Sequence, residues 1–358
     1  MIRDVAVVGA GIVGAACADA LSRKGLSVAI YDGSTPGGGA TAAGMGHIVA
    51  MDDSEAQFTL TRYSQGLWDR LVPELPAQIE FERRGTLWVA ADEEEMGAGI
   101  AKQQWYAARG VSTEWLDAAA LPDAEPNLRA GLAGGLLVRG DSVIYAPCAA
   151  RWLLDRAIAR GAEFHSSTVA TVAALREKAV VVACGTASGQ LVPDIAVRPR
   201  KGHLAITDRY PDFVRHQLVE LGYLKSAHGH DAESVAFNVQ PRWTGQVLVG
   251  SSRQYDTETP EVEHRMLARM LGRAVEYMPR LAALSVIRTW TGFRAATPDS
   301  LPLIGPHPEI ERVWLATGHE GLGITTSLAT GELIAASILG HAAGIPIEPY
   351  LPARFAHG

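Results

Sequence analysis

The stretch "VAVVGAGIVGAACADALSRKGLSVAIYD", residues 5–32, decides the fold at the start of the chain. Val5, Val7 and Val8 form a short β-branched run of the kind buried on both faces of a parallel sheet. The run enters Gly9-Ala10-Gly11-Ile12-Val13-Gly14 directly, which is the G-x-G-x-x-G spacing. Gly9 permits the tight turn out of the strand, Gly11 lacks a Cβ so that a pyrophosphate can approach the backbone, and Gly14 lets the next helix pack closely on the sheet. Residues 15–23 have the small and apolar character of that helix, whose N-terminal N–H groups and dipole face the phosphates. Gly25 ends it and residues 26–31 read as a second strand. Asp32 closes that strand, where a carboxylate accepts hydrogen bonds from ribose hydroxyls. The stretch reads as a dinucleotide site and leaves open whether a nicotinamide or a flavin occupies it.

At 358 residues the chain is long enough for two domains or one large α/β domain. Its net charge is −7 and it has no Lys/Arg cluster, which argues against nucleic acid and anionic membranes as partners. The three cysteines, Cys17, Cys148 and Cys184, are isolated and lack metal-ligand spacing; no metal site is expected, and a reducing cytoplasm suits them. The first strand starts almost at residue 1, so no signal peptide is expected, and no apolar run reaches the length of a membrane span.

Residues 33–46, "GSTPGGGATAAGMG", read either as a mobile linker or as backbone lying close to a ligand; their place after the second strand favours the ligand. Residues 55–72 look helical, with Phe58, Leu60, Leu67 and Trp68 as the apolar side. "FERRGTLWVAA" reads as strand, turn and strand, and a polar helical stretch covers 92–109. "ARWLLDRAIARGAEF" is an amphipathic helix ended by Gly161. Residues 178–188, "KAVVVACGTAS", bring a buried strand to Cys184-Gly185, and ligands in open α/β sheets lie beyond such carboxyl ends. Between residues 200 and 252, "GHLAITD", "SVAFNVQPR" and "QVLVGSS" alternate like an antiparallel sheet, and a helix follows over 261–278.

Near the end, "WTGFRAATPDSLPLIGP" (290–306) surrounds one arginine with turn formers. "VWLATGHEGLGITTSLATGELIAASIL" (313–339) runs strand, glycine loop, helix. The loop Gly318-His319-Glu320-Gly321-Leu322-Gly323 leads to a helix expected to begin near Ile324, and exposed N–H groups there attract negative charge. A reduced flavin carries such charge on its pyrimidine ring; a nicotinamide does not.

Together the first glycine motif, "VVVACGTAS", "GFRAATPDSLPLIG" and "ATGHEGLGITTSLATGELIA" resemble the D-amino-acid oxidase superfamily of FAD enzymes. The resemblance implies a Rossmann-like α/β FAD-binding domain over 1–50, 140–200 and 290–358, with an inserted α+β, antiparallel-sheet substrate domain over 51–139 and 201–289. It implies that Gly9, Gly11, Ile12, Val13, Gly14, Asp32 and Gly33 hold the ADP half of FAD, although many relatives have Glu at the position of Asp32. Gly318, Gly321, Leu322, Gly323 and Ile324 would lie at the isoalloxazine, with Thr41, Ala42, Gly46, Val169, Cys184 and Gly185 as further contacts. No cysteine follows Cys184, so the flavin is expected to be non-covalent.

The resemblance assigns the substrate carboxylate to Arg294, whose planar fork matches two carboxylate oxygens. The alternative is a structural ion pair with Asp299 or Glu320. Glycine oxidases carry a second arginine about where this chain has Glu320, so the substrate contacts must differ. His47, Tyr223, Tyr255 and His319 are candidate lining residues with hydrogen-bonding groups. The implied reaction is hydride transfer from the α-carbon of an amine or amino acid to flavin N5, giving an imine. A D- or cyclic secondary amino acid, such as D-hydroxyproline or D-proline, is the first expectation. The rivals are a flavin subunit of a heteromeric dehydrogenase that is inactive alone, and an NAD(P)-dependent dehydrogenase. A homo-oligomer is also compatible with the sequence.

Overall fold

A computed structural model describes residues 2–222, 233–255, 257 and 259–355. The chain divides into two compact units, one made of residues 1–81, 144–200 and 293–358, the other of 82–143 and 201–292.

The first unit is built on a six-stranded sheet in the spatial order Leu303–Pro306, Val313–Thr317, Ala179–Val182, Val5–Val8, Val28–Asp32, Glu163–Ser166. Its pairs are parallel, with Val5 opposite both Val28 and Ala179, except at the edge, where Leu303 runs antiparallel to Thr317. The opening valine run is therefore an interior strand, and Val5 to Val8 are buried as a parallel strand covered on both faces requires. The first helix, Ile12–Arg23, and the last, Gly323–Leu339, share one apolar core that includes Ala15, Leu21, Leu328, Ala329 and Leu333. Where they cross, a Cβ on Gly331 would stand 2.6 Å from the Ala16 carbonyl oxygen, so the two backbones touch. The helix Ala146–Ala159 is tied to the first by buried Asp19, which accepts from Arg156 (3.1 Å) and Arg160 (2.8 Å).

Residues 51–81 lie in the first unit, against the expectation that the substrate domain begins at 51. The helix there, Glu55–Leu71, starts on Ser54, whose Oγ accepts from the Gln57 N–H at 3.1 Å. Its Leu60 and Trp68 are buried in the core of the first and last helices, and Ser64 Oγ lies 3.2 Å from the Ala329 N–H. Its apolar face thus has a place in the first unit.

The second unit carries an eight-stranded sheet in the order Val286–Ala296, Arg198–Arg209, Gln246–Gln254, Glu233–Pro241, Gln217–Glu220, Thr86–Ala90, Gly134–Val138, Thr113–Asp117; the first two strands run on into segments of the first unit. The three alternating segments of the middle region pair antiparallel, with Val249 opposite both Ala205 and Val239. Leu218, by contrast, lies parallel to Leu87, which is possible because a long excursion of chain joins the two strands. Helix His264–Tyr277 packs on this sheet, with Phe237 and Tyr277 stacked at 4.5 Å between centroids. Among the described residues no helix is long and apolar enough to cross a membrane, and no group of His, Cys, Asp and Glu has the arrangement of a metal site.

Candidate cofactor and substrate site

The glycine turn separates into structural and open positions. Gly9 has φ +106°, and a Cβ on it would lie 2.4 Å from the Ala183 carbonyl oxygen. A Cβ on Gly14 would lie 1.9 Å from the Gly9 carbonyl oxygen, so Gly14 lets the helix close on the turn itself. Gly11 differs from both: a Cβ there would meet only Thr41 Oγ1, at 3.2 Å. Its missing side chain leaves a cradle at the helix N-terminus, as a pyrophosphate beside the backbone requires. Thr41 Oγ1 accepts from the Ile12 N–H at 3.0 Å, which brings the short helix Gly39–Ala43 over that end.

Asp32 Oδ2 accepts from the Ala10 N–H at 2.6 Å, and Oδ1 accepts from the Ser34 N–H and Oγ at 2.8 and 2.7 Å. The carboxylate is thereby fixed beside the turn, and its remaining lone pairs suit ribose hydroxyls. A Cβ on Gly33 would lie 2.1 Å from Thr168 Oγ1, so this glycine brings the next segment, with half-buried Val169, to the strand end. Cys184 donates from Sγ to the Val8 carbonyl at 3.1 Å; burial, with the nearby Asp32 charge, pushes its thiol up to about 12. Gly185 has φ +57° and open space where a Cβ would be. Gly46 has φ +91°, with Ile144 O 2.0 Å from its would-be Cβ; chain packing accounts for this glycine, and Ala42 is exposed.

The C-terminal loop reaches the same region of the first unit. The last helix begins at Gly323, one residue before the expected start, with neither a side-chain cap nor an acidic residue in its first turn. A Cβ on Gly323 would lie 3.8 Å from Val13 Cγ2, and one on Gly44 would lie 3.0 Å from Ile324 Cδ1. Two helix N-termini therefore converge, the first helix likewise lacking an acid in its first turn. Two positive helix ends brought together in this way suit an elongated ligand with a phosphate group at one part and an electron-rich ring at another. Thr325 ties this end to the chain just after the glycine-rich segment: its Oγ1 donates to the His47 carbonyl at 2.9 Å and accepts from the Val49 N–H at 3.3 Å.

Arg294 lies on the strand Val286–Ala296, half-buried. A Cβ on Gly321 would be 3.8 Å from its Nε, so the guanidinium stem runs along the glycine loop. Both acids weighed as its structural partners are bonded to other arginines. Asp299 accepts from Arg354 at 2.7 and 3.1 Å, and Glu320 pairs with buried Arg200. Nothing in the sequence signals the Arg200–Glu320 pair, because 120 residues separate its members and no spacing links them.

The lining candidates fare differently. His47 is half-buried and held through its carbonyl. His319 is buried, and its Nε2 lies 2.9 Å from Thr330 Oγ1. Thr330 already donates to the Thr326 carbonyl, so the imidazole is the Nε2–H donor, and burial lowers its pKa to about 3. This is a neutral core histidine that braces the last helix, and its burial departs from the expected lining role. Tyr255 follows the strand Gln246–Gln254 of the second unit, and Tyr223 lies outside the described residues.

A profile of the family described as "DAO: FAD dependent oxidoreductase" matches residues 4–337. The chain is 28% identical to the hydrogen cyanide synthase subunit HcnC of Pseudomonas aeruginosa, over 98% of this chain and 96% of that one. It is 27% identical to glycine oxidase of Geobacillus kaustophilus, over 93% and 92%. The crystal structure of the Geobacillus glycine oxidase superposes with a TM-score of 0.88 at 26% identity, covering 98% of both chains. L-proline dehydrogenase from P. horikoshii, at 22% identity and a TM-score of 0.88 over 100% of this chain and 98% of that one, shares the fold.

Proposed function

The chain belongs to the DAO family of FAD-dependent oxidoreductases, and on that premise, with glycine oxidases among its relatives, we propose that it oxidises a small amino acid at the bond between α-carbon and nitrogen. The observation that carries this reading is Arg294 lying along Gly321, on the loop that leads to the uncapped N-terminus of the last helix. Membership in an FAD-dependent family sets aside the nicotinamide alternative for the first glycine motif.

Gly11, Ile12, Val13, Thr41 and Asp32 would hold the ADP half of a non-covalent FAD, and Gly321 to Ile324 would face its ring. When bound, FAD would supply a two-electron acceptor for the α-hydrogen as hydride. The protein supplies orientation. Arg294 binds the substrate carboxylate through its two-pronged fork and so fixes which α-hydrogen is presented. The N–H groups opening the last helix offset the negative charge that accompanies reduction. The substrate amine must be neutral to release a hydride, and the resulting imine is hydrolysed by water. The reading requires no strong side-chain base, which accords with the neutrality of buried His319.

The preferred substrate is a D- or cyclic secondary amino acid such as D-proline or D-hydroxyproline, with glycine and N-methylglycine as competitors in view of the glycine oxidase relatives. Anaerobic mixing of the yellow protein with D-, L- and cyclic amino acids tests this: bleaching by a cyclic or D-amino acid supports the proposal. Bleaching by glycine alone overturns the substrate preference, and failure of every amine overturns the reading for the isolated chain. The similarity to a protein named as a synthase subunit favours a second reading, in which this chain works within a heteromeric dehydrogenase. Turnover with an artificial dye acceptor only after a partner is added would support it.

A further inference from the structure

We propose that Arg200 is a positioning residue for flavin reduction: by neutralising Glu320 it keeps the N-terminal end of the last helix positive, so that the Arg200–Glu320 pair sets how readily bound FAD accepts electrons. The inference rests on the flavin placement proposed above.

Glu320 lies three residues before Gly323, where the helix begins. It adopts φ +48°, a left-handed conformation that costs a non-glycine residue free energy and needs support from its surroundings. That support is double. Its N–H donates to the Ala295 carbonyl at 2.9 Å, next to Arg294, and its carboxylate pairs with Arg200. The side chains are 14% and 7% exposed, so solvent and salt screen the pair weakly. Alone, a carboxylate here would oppose both the helix dipole and Arg294. Paired, its charge is offset and the helix end keeps its positive potential toward a reduced ring. The signal is electrostatic, so removing either member alone acts with opposite sign.

The test uses the FAD-loaded protein, with sulfite, an anion that adds to flavins and bleaches them, as probe, together with the two-electron midpoint potential. Arg200→Met should weaken sulfite binding about tenfold and Glu320→Gln should strengthen it about tenfold, the scale of one unbalanced charge roughly 12 Å away at an effective dielectric near 20. For a two-electron couple tenfold corresponds to about 30 mV, downward in the first variant and upward in the second. The double variant should return close to the parent, which separates charge from damage to the fold. Shifts of the same sign in the two single variants, or no shift in either while FAD stays bound, overturn the proposal. Arg294→Met identifies which layer failed. If it weakens sulfite binding while the other two do nothing, only the role of Arg200 falls; if it too is silent, the flavin placement falls and this inference with it.

Discussion

Replacing Gly331 by Ala separates the two helices that carry the converging N-termini. The new Cβ would stand 2.6 Å from Ala16 O and 2.9 Å from Ala16 C, against ordinary contact at about 3.4 Å. The obstacle is backbone, which cannot rotate away, so the helices must part by roughly 0.8 Å locally. Overpacking of this kind costs about 3 kcal/mol, and alanine's helix propensity returns about 1, leaving a loss of about 2 kcal/mol. For a unit of about 200 residues that lowers Tm by roughly 4–8 °C. FAD affinity should fall as well, since the glycine cradle at Gly11 and the opening turn at Gly323 move apart. Heating the holoprotein and following FAD fluorescence on release, alongside far-ultraviolet circular dichroism, reports both effects. The control is Gly97→Ala on the helix Glu93–Ala107, where a Cβ meets nothing within 4 Å and stability should rise by about 1 kcal/mol. A Gly331→Ala protein that melts at or above the parent, as the control does, would refute the close-crossing argument.

Gly11→Val should give a folded protein with little FAD, because its Cβ meets only Thr41 Oγ1 inside the chain; equal far-ultraviolet spectra with FAD occupancy near the parent's would contradict the cradle. Arg294→Met should lower kcat/KM for carboxylate substrates by on the order of 3 kcal/mol of transition-state binding while the flavin spectrum persists. Near-parental efficiency would remove Arg294 from the substrate. His319 is held neutral with a folded pKa of about 3, below its ordinary value of 6.5, so the unfolded chain binds more protons between those limits. Stability from this group is complete above pH 6.5 and is lost as pH falls toward 3; His319→Asn should flatten the acid limb of Tm against pH, and an unchanged slope would show that the histidine does not titrate as argued.

The parts legible in the sequence were those written locally. Strand, glycine turn, helix and terminal acid follow one another within 28 residues, and each glycine can be read from what its neighbours must do. The C-terminal loop is equally local, and its helix starts within a residue of the expected position. What escaped reading was set by partners far along the chain. The apolar side of residues 55–72 shows that the helix is buried but not against which unit, and it is the placing of Leu60 and Trp68 in the core of the first and last helices that decides it. Resemblance alone puts Gly46 among the flavin contacts, whereas Ile144 gives this glycine a reason inside the chain. His319 sits in a motif rich in site residues, yet its burial and its bond to Thr330 depend on how the last helix turns after the loop. The Arg200–Glu320 pair has no periodicity or spacing to betray it.

The first unit is assembled from three separated segments, and its core is made where the first helix meets the last. During synthesis the helix Ile12–Arg23 leaves the ribosome some three hundred residues before the helix that covers it. The second unit ends at residue 292 and can be completed earlier, while the nucleotide-binding half waits with its small, apolar face uncovered. Folding of that half is therefore non-local, intrinsically slow and exposed to aggregation until the final segment arrives. A chain halted before Gly323 would lack the helix on which the first helix packs, which makes late termination as damaging to cofactor binding as a change in the glycine motif itself.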